Sequence, residues 1–544
     1  MKHQRFQLTT AAKVLILVLI VAVLGGGIFA LTKMGIVKPK DKTADKAEQP
    51  TEISQEVNAK TDIDNTASKK EEGKEPAVQP KGGDKEINLS LDEWIGWKSI
   101  IDANGGLTTQ PGSIYDELGI TVNINVINDA TQSSNAIISG DLDAAGYTIN
   151  RTAFLSKKFK DAGVDVVIPF ITNYSNGGDG IIANSNINTV EDMKGAKIGV
   201  PQFSEAHTLV AWFVNRSDLT QEEKDDIIAN LIFFETPDEA AKAFFAGQID
   251  MAATWEPYLT QAKNMSDAHV FFSTASSSSL VMDAILFNDA FAKANPETVS
   301  AFIDGALQAS DMYDVEMAAI KSVMPMFNTA SDEDIKDNCA GARLTTYADN
   351  LNLFDGAART IYTDMCDIWV SLGEEVNKDL INTLYDDTYL TTLASNYSAT
   401  ELTASNAPKV TEDNQEEIME AAAMLQKSSM VNFIINTAKF SDSAAATAEL
   451  DEFIEIAKVL DGAIIKIEGN TDPNPVSDPE DIANQKLSQQ RAETVKQYFI
   501  LNGISPDRII VVGNGSSKPI VDNDTEEHKA MNRRTDFSFV QIEN

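Results

Sequence analysis

The chain has 544 residues and a mass of 59.1 kDa, which is enough for three or four domains. Hydrophobic residues make up 43% of it, so most of the chain can bury cores, and disorder of the whole protein is excluded. Asp and Glu total 82 against 44 Lys and Arg, and the net charge of −38 argues against nucleic acid as a partner. Two cysteines and four histidines are too few for a zinc cluster or a disulfide scaffold.

An apolar segment near the N-terminus predicts the compartment. Lys2, Arg5 and Lys13 precede Val14–Thr32, an uncharged stretch close to the ~20 residues that a membrane-spanning helix needs. This stretch is longer than a usual secretory h-region, and no A-x-A cleavage site follows it. We therefore expect residues 1–13 to be cytoplasmic, residues 14–32 to form a single-pass anchor, and the rest to be extracytoplasmic. A cleaved signal peptide is the alternative.

Residues 33–86 have the composition of a tether. They contain 11 Lys and 12 acidic residues and almost no large apolar side chains. Such a stretch cannot bury enough surface to order itself, so we predict a disordered linker. The acidity therefore belongs to the folded part that begins at residue 87.

Residues 87–398 alternate short apolar strands with amphipathic helical runs. Predicted strands include Ile120–Ile127, Val164–Ile171, Gly180–Asn184 and Ala196–Pro201. The alternation predicts an α/β fold with mostly parallel strands, and 300 residues are too many for one core, so two lobes are expected.

A short internal echo supports two related lobes. Ile138–Thr148 and Phe245–Pro257 share the pattern G-x-[LI]-D-x-A. In each copy a glycine, Gly140 or Gly247, is expected to end a helix in the left-handed conformation, and a short buried strand follows. The loop after that strand is where open α/β sheets bind ligands.

On these residues and on Asn188–Val210, the domain resembles the periplasmic substrate-binding proteins of ABC importers, in the NMT1-like branch for nitrate, sulfonate and thiamine precursors. The resemblance implies a type II binding-protein fold and two lobes hinged around a cleft that closes on a small solute. The partner that receives the solute is an ABC permease or a sensor, and the sequence does not decide between them. It does not identify the solute.

The residues of the cleft can be predicted from their positions relative to the predicted strands and helices. Aromatic walls with a carboxylate suit a planar, cationic or zwitterionic solute, and no strongly basic cluster is present for an oxyanion. The candidates follow predicted strands or open the helix after IGVPQF, and core packing is the alternative for the tryptophans. They are Trp94, Trp97, Tyr147, Thr148, Ser204, Glu205, Thr208, Trp255, Glu256 and Tyr258.

A connector over residues 399–427 leads to a C-terminal domain at 428–544. Predicted strands cover Met430–Ser441, Ala463–Asp472, Asp507–Gly515 and Asn532–Val540, with helices at Thr447–Gly462 and Asp481–Gly503. This order predicts a small α/β sandwich.

The motifs IEGNTD, N-x-x-LS-x-x-RA-x-x-V and NRR make this domain resemble the OmpA-like peptidoglycan-binding family. The resemblance implies that Asp472 accepts the ammonium of diaminopimelate in the peptide stem and that Arg491 grips its carboxylate. Asn484 would orient the loop or the ligand, and Arg534 would support the site or be structural. Asn470 replaces the usual His, and the loop between Asp472 and Asn484 is longer than usual.

We expect no enzyme activity, catalytic residue, metal or cofactor, because the histidines and cysteines are scattered. Cys339 and Cys366 either pair or remain separate thiols. The resulting hypothesis is a membrane-anchored solute-binding protein attached to peptidoglycan. The main alternative is a structural link between membrane and wall. A stator-like anchor is disfavoured by the uncharged membrane segment, and a precursor-synthesising enzyme by the missing metal ligands.

Overall fold

The structure is a computed structural model that describes residues 84–310, 317–402, 407–431, 433–434, 436–473 and 481–542. The predicted anchor and nearly all of the predicted linker lie outside these residues, as do residues 474–480 of the loop after Asp472. No helix within the described part of the chain is both long enough and apolar enough to cross a membrane.

The described strands form three sheets. They are β1 (Glu86–Leu91), β2 (Thr121–Val126), β3 (Ala144–Thr148), β4 (Val166–Val167), β5 (Ile171–Ser175), β6 (Asp179–Asn184), β7 (Ile198–Pro201), β8 (Ile232–Phe234), β9 (Met251–Trp255), β10 (Ala268–Ser273), β11 (Met282–Asn288), β12 (Ala342–Leu344), β13 (Ala423–Ser429), β14 (Ile464–Gly469), β15 (Ile509–Gly513) and β16 (Thr535–Val540).

Helices connect and cover these sheets. They are α1 (Lys98–Asn104), α2 (Ile114–Glu117), α3 (Ala130–Ser139), α4 (Ile149–Ala162), α5 (Glu205–Arg216), α6 (Gln221–Ala229), α7 (Pro237–Phe245), α8 (Tyr258–Lys263), α9 (Asp289–Ala294), α10 (Pro296–Ser310), α11 (Met317–Val323), α12 (Asp332–Ala340), α13 (Tyr347–Asn352), α14 (Ala358–Ser371), α15 (Thr388–Thr391), α16 (Gln415–Glu420), α17 (Ser443–Val459), α18 (Ile482–Leu501) and α19 (Glu526–Asn532). Short 3₁₀ turns lie at Ile95–Trp97, Val190–Met193, Thr274–Ser276, Pro325–Thr329, Lys378–Asn382 and Pro506–Arg508, and a π turn at Leu353–Ala357.

Two of the sheets define two lobes. The lobe 1 sheet has the order β12-β5-β11-β3-β1-β2, with β4 beside β11, and the lobe 2 sheet has the order β10-β6-β9-β7-β8. The prediction of mostly parallel strands is wrong. The chain crosses between the lobes twice, from β5 to β6 and from β10 to β11. Each of these four strands pairs antiparallel with its neighbours, so both sheets are mixed.

The internal echo marks equivalent turns in the two lobes. Gly140 ends α3 with φ 74°, and Gly247 follows α7 with φ 69°, as predicted. The short buried strands β3 and β9 then begin. The predicted strand Val164–Ile171 is instead broken into β4 and the start of β5.

The C-terminal sheet has the order β13-β16-β14-β15, with α17 and α18 packed against it. The predicted first strand, Met430–Ser441, is wrong. The strand is β13, of whose seven residues five belong to the predicted connector, and the described residues of 430–441 contribute an isolated bridge between Phe433 and Phe440. From Leu425 onward every second residue of β13 is buried, but Lys427 and Ser429 are polar, so AMLQKSS shows no apolar alternation that would predict a strand.

Cys339 and Cys366 are free thiols, which resolves the alternative that the sequence left open.

Three glycines make room for two tryptophans of lobe 1. A Cβ on Gly146 would lie 2.7 Å from the Trp97 ring, and one on Gly178 would lie 2.5 Å from the Trp94 ring. A Cβ on Gly96 would lie 2.3 Å from the Trp94 indole nitrogen and from the Asn173 side chain. The backbone therefore approaches both rings so closely that only glycine fits.

Gly146→Ala is expected to destabilise the protein by about 1–3 kcal/mol, because the added methyl overlaps the Trp97 ring within a packed core. Thermal melts would measure the loss. In a Trp97→Leu background the same substitution should cost less, because the ring that it meets is gone. Equal costs in both backgrounds would contradict this packing account.

Candidate functional site

Helices from both lobes begin at the cleft. Thr148 caps α4 by accepting from the amide of Arg151 at 3.0 Å, and Ser204 caps α5 by accepting from the amide of His207 at 3.3 Å. Each helix directly follows the carboxyl end of a strand with a parallel neighbour, β3 or β7. The sequence predicted a helix start at Ser204 and a strand end at Thr148, and in the structure both residues act as helix caps.

Two contacts join these helices across the cleft. Arg151 Nη2 of lobe 1 pairs with Glu205 Oε2 of lobe 2 at 3.1 Å. Asn150 donates its side-chain amide to Thr208 Oγ1 at 2.7 Å. We call these two contacts the latch, because they hold the lobes together at this side of the cleft.

Three further carboxylates gather around the latch. Asp92 Oδ2 lies 3.7 Å from Arg151 Nη1, while Asp179 and Asp283 are only 6% and 2% exposed. Burial raises the pKa of Asp179 to about 7, and nearby Glu205 and Asp92 add to the effect. Burial also raises the pKa of Asp283 well above its usual value and raises that of Asp92. Burial disfavours the charged form of Arg151, but Glu205 and Asp92 outweigh it and raise the pKa of Arg151. With Glu205, four carboxylates therefore face one guanidinium.

Two predicted aromatic residues lie inside lobe 1. Trp97 is 1% exposed, and its indole N–H donates to Asp92 Oδ1 at 2.7 Å. Tyr147 is also buried and shares a 2.7 Å hydrogen bond with Ser133. Trp97 therefore belongs to the core, and its polar edge orients a cleft carboxylate.

Trp94 and Trp255 line a cavity of about 530 Å³ between the lobes. The indole N–H of Trp94 donates to Asp283 Oδ2 at 2.9 Å, which connects the cavity to the buried carboxylates. The cavity wall also includes Lys263 and four acidic residues, which are Glu93, Glu256, Asp334 and Asp337. The acidic excess thus extends from the buried cluster to the open part of the cleft.

Glu256 and Tyr258 have local partners. The Glu256 carboxylate accepts from the amide and the hydroxyl of Thr260 at 3.0 and 2.9 Å, so it caps the short helix α8. Tyr258 packs against Phe245 with ring centroids 6.2 Å apart.

Sequence reasoning missed Asp92, Arg151, Asp179 and Asp283. Asp92 directly follows β1, and Arg151 lies three residues beyond Thr148, so the strand-end rule could have found both. Asp283 interrupts the apolar run LVMDAILF, which is itself a signal because an unpaired charge is costly in a buried strand.

The C-terminal domain brings Asp472 and Arg491 close enough to interact electrostatically. Arg491 is 7% exposed, donates from Nε to the carbonyl of Thr437 at 3.1 Å, and lies 4.9 Å above the Phe433 ring. Burial, with Arg533 adding to it, lowers the pKa of Arg491, and Asp472 opposes this. Arg533, which the sequence did not nominate, pairs with Asp472 at 3.3 Å. One carboxylate is thus flanked by two guanidinium groups.

Asn484 and Arg534 hold the surroundings of this site. Asn484 donates to the carbonyl of Asp472 at 3.2 Å and to Asp481 at 2.9 Å, consistent with a loop-orienting position. Arg534 is buried and forks onto Asp536 through two contacts of 2.9 Å. The side chain that reaches Asp472 is thus its neighbour Arg533. Asn470, at the position of the usual His, donates to Asp536 at 2.9 Å.

Two family models match this chain. Residues 110–313 match the NMT1/THI5-like family, and residues 432–533 match the OmpA family. The chain therefore contains an NMT1/THI5-like domain and a C-terminal OmpA domain, which confirms both resemblances.

Known proteins are similar to short parts of this chain. Outer membrane porin F of Pseudomonas fluorescens is 46% identical over 74 residues, which are 14% of this chain and 22% of the porin. The peptidoglycan-associated lipoprotein of Pseudomonas putida is 32% identical over 76 residues, 14% of this chain and 43% of the lipoprotein. The chain thus matches less than half the length of either relative.

Among solved structures, the periplasmic aliphatic sulphonate binding protein SsuA from Escherichia coli is 16% identical, with a TM-score of 0.42. The match covers 56% of this chain and 99% of that chain.

Asp179→Asn is expected to stabilise the solute-free protein at neutral pH. The folded state holds the Asp179 proton to about pH 7, whereas the unfolded chain releases it near pH 4. The stability penalty therefore develops as pH rises from about 4 to 7 and reaches at most about 4 kcal/mol above that range. Melts at pH 4 to 8 should show a difference between variant and parent that is small at pH 4 and largest above pH 7.

Asp192→Asn is the matched control of opposite sign. Backbone amides, first that of Asn188, hold the pKa of Asp192 below its usual value. Removing this carboxylate should therefore destabilise the protein at neutral pH, and the loss should shrink as pH falls through the lowered pKa. A neutral-pH destabilisation by both substitutions would contradict the cost assigned to burying Asp179.

Proposed function

We propose that this protein is a non-enzymatic, extracytoplasmic receptor for a cationic solute. In this proposal residues 14–32 anchor it to the cytoplasmic membrane, the C-terminal domain attaches it to peptidoglycan, and the bound solute is passed to an ABC-type permease. The observation that carries the proposal is the excess of carboxylates, contributed by both lobes, at the cleft.

The chemistry of the cleft supports a cation. Buried carboxylates without enough counter-charge must take up protons or bind a positive group. The rings of Trp94 and Trp255 on the cavity wall would favour an ammonium group through their π faces. A volume of about 530 Å³ suits a small organic molecule. An anionic solute would instead meet Glu205 at the start of α5.

The arrangement around Asp472 supports wall attachment. Arg491 and Arg533 would bind a ligand carboxylate and Asp472 an adjacent ammonium, the two charges of a diaminopimelate end group. The buried hydroxyl of the preceding Thr471 has no hydrogen-bond partner among the described residues, so it can serve a ligand as well.

A structural membrane-to-wall link is the second candidate. It rests on the latch, in which side chains of this protein themselves hold the lobes together. In this case the C-terminal site would carry the whole function.

Organic cations should raise the melting temperature of the full-length protein in detergent. Choline and spermidine are the probes, with ethanesulfonate and nitrate as anionic controls. A ligand at 100 times its Kd stabilises the folded state by about 2.7 kcal/mol. Asp283→Asn should weaken binding about tenfold or more, because it removes a buried carboxylate that can ionise beside a bound cation.

Asp161→Asn is the matched control, because this exposed carboxylate pairs with Lys157 on the outer surface of α4. It should leave probe binding unchanged. Stabilisation by the anions alone would overturn the choice of a cation, and stabilisation by no probe would favour the structural link.

Arg491→Lys and Asp472→Asn should each reduce co-sedimentation of the protein with purified peptidoglycan sacculi about tenfold or more. Lysine keeps the charge of Arg491 but loses the planar fork that grips a carboxylate. Lys486→Ala removes an exposed charge from the same helix, α18, and is the control. A loss with Lys486→Ala as large as with the other two, or no loss with Arg491→Lys and Asp472→Asn, would contradict a specific site at Asp472 and Arg491.

A further inference from the structure

The lobes are connected by two neighbouring crossings. The first joins β5 to β6 through residues 176–178, and the second joins β10 to β11 through residues 274–281. Thr274 ties them together, because its Oγ1 accepts from the amide of Gly177 at 2.9 Å and donates to the carbonyl of Asp179 at 3.0 Å. Any lobe movement that bends one crossing must therefore displace the other.

The C-terminal domain sits directly on the second crossing. Its Asp461 accepts from the amide and hydroxyl of Ser278 at 2.8 and 2.5 Å. Gln541 Oε1 accepts from the amide of Ser273 at 2.9 Å and the hydroxyl of Ser276 at 3.0 Å. Two further bonds run from Gly462 N to Ser276 O at 3.0 Å and from Ser277 Oγ to Val459 O at 2.7 Å.

This docking is close as well as polar. A Cβ on Gly462 would lie 2.3 Å from the carbonyl oxygen of Ala275 and 2.8 Å from Ser276 Cα. The backbone at Gly462 thus contacts the backbone of Ala275 and Ser276 directly. Ser276 and Ser277 are each only 1% exposed. A small shift of the crossing would break several of these contacts together.

The same domain is fixed to lobe 2 at a second point. Asp218, which follows α5, accepts from the amide of Ser428 at 2.8 Å and lies 3.6 Å from Lys427 Nζ. Because the domain holds lobe 2 and the crossing at once, it resists movement of the crossing relative to lobe 2.

We propose that the C-terminal domain acts as a brace on the hinge and that its docking is coupled to closure of the cleft. The docked contacts coexist with the closed latch, so docking favours the latched lobes. Coupling between two such equilibria is reciprocal, so opening of the cleft weakens docking. The protein would thereby link the state of the solute cleft to the placement of its wall-binding domain. This inference does not depend on which solute binds.

Hydrogen exchange of the full-length protein tests the brace. The variant Asp461→Ala/Gln541→Ala removes the side chains that accept from the crossing. We expect faster exchange at Gly462, whose amide donates to the carbonyl of Ser276, an acceptor that the variant keeps, so this exchange reports undocking. Ser278 loses its acceptor directly in this variant and is not used as its readout. We also expect about fivefold or faster exchange at Arg151 and His207, which lie in the first turns of the latched helices. The matched control is Asp451→Ala/Gln497→Ala, which changes the same residue types at exposed positions of the same domain.

A second variant separates lost docking from lost folding. Gly462→Val blocks docking sterically and keeps every hydrogen-bonding side chain, so it should give the same result at Arg151 and His207. Unchanged protection of strand β14 would show that the domain remains folded. The readout of undocking is Gly462 in the first variant and Ser278 in Gly462→Val, which keeps Asp461. The brace is overturned if these sites exchange faster while the latched helices do not, or if both sites keep their protection.

Discussion

The cleft depends on an imbalance of buried charge around Arg151. This guanidinium faces carboxylates from both lobes and forms its shortest ion pair with Glu205 on the opposite lobe. One cation cannot neutralise four carboxylates at low dielectric. The carboxylates that lack a counter-charge favour their protonated form, and the pKa values of Asp179 and Asp283 are therefore raised. The excess of carboxylates therefore explains both the ion pair of the latch and the attraction of the cleft for positive charge. A ligand that supplied this charge would compete with protons for the carboxylates and with Arg151 for Glu205.

The packing of lobe 1 holds this costly cluster in place. The indole N–H groups of Trp94 and Trp97 donate to Asp283 and Asp92, so each large apolar ring presents its polar edge to a carboxylate. Gly96, Gly146 and Gly178 allow the backbone to approach the rings. Burying two indoles provides apolar stabilisation that offsets part of the desolvation of the acids. Rigid rings also keep the carboxylates from separating toward water, which would relieve their repulsion.

Local signals in the sequence were sufficient for much of the architecture. Gly140 and Gly247 marked the helix ends of the echo, and the motifs IEGNTD and LS-x-x-RA nominated Asp472 and Arg491 through the family resemblance. The position of β13 in the sequence was not predicted, because the apolar residues after it resemble a strand more strongly than AMLQKSS does. The cleft cluster was missed for another reason. Asp92, Asp179 and Asp283 are separated by about ninety residues or more in sequence and meet only because of the sheet order. Long-range pairing of this kind leaves no periodicity to detect.

The two candidate sites differ in their balance of acidic and basic side chains, and in the proposed function this difference gives them different ligands. At Asp472 one carboxylate lies between Arg491 and Arg533, so the site is matched to a group with both an ammonium and a carboxylate. The cleft is acidic in excess, and in the proposed function it selects net positive charge. The C-terminal site is partly open, since the Arg533 and Asp472 side chains are 37% and 27% exposed, so salt screens it more strongly than the buried carboxylates of the cleft. In the proposed function, the strength of binding to the wall can therefore vary with ionic strength while the affinity of the cleft for its solute is retained.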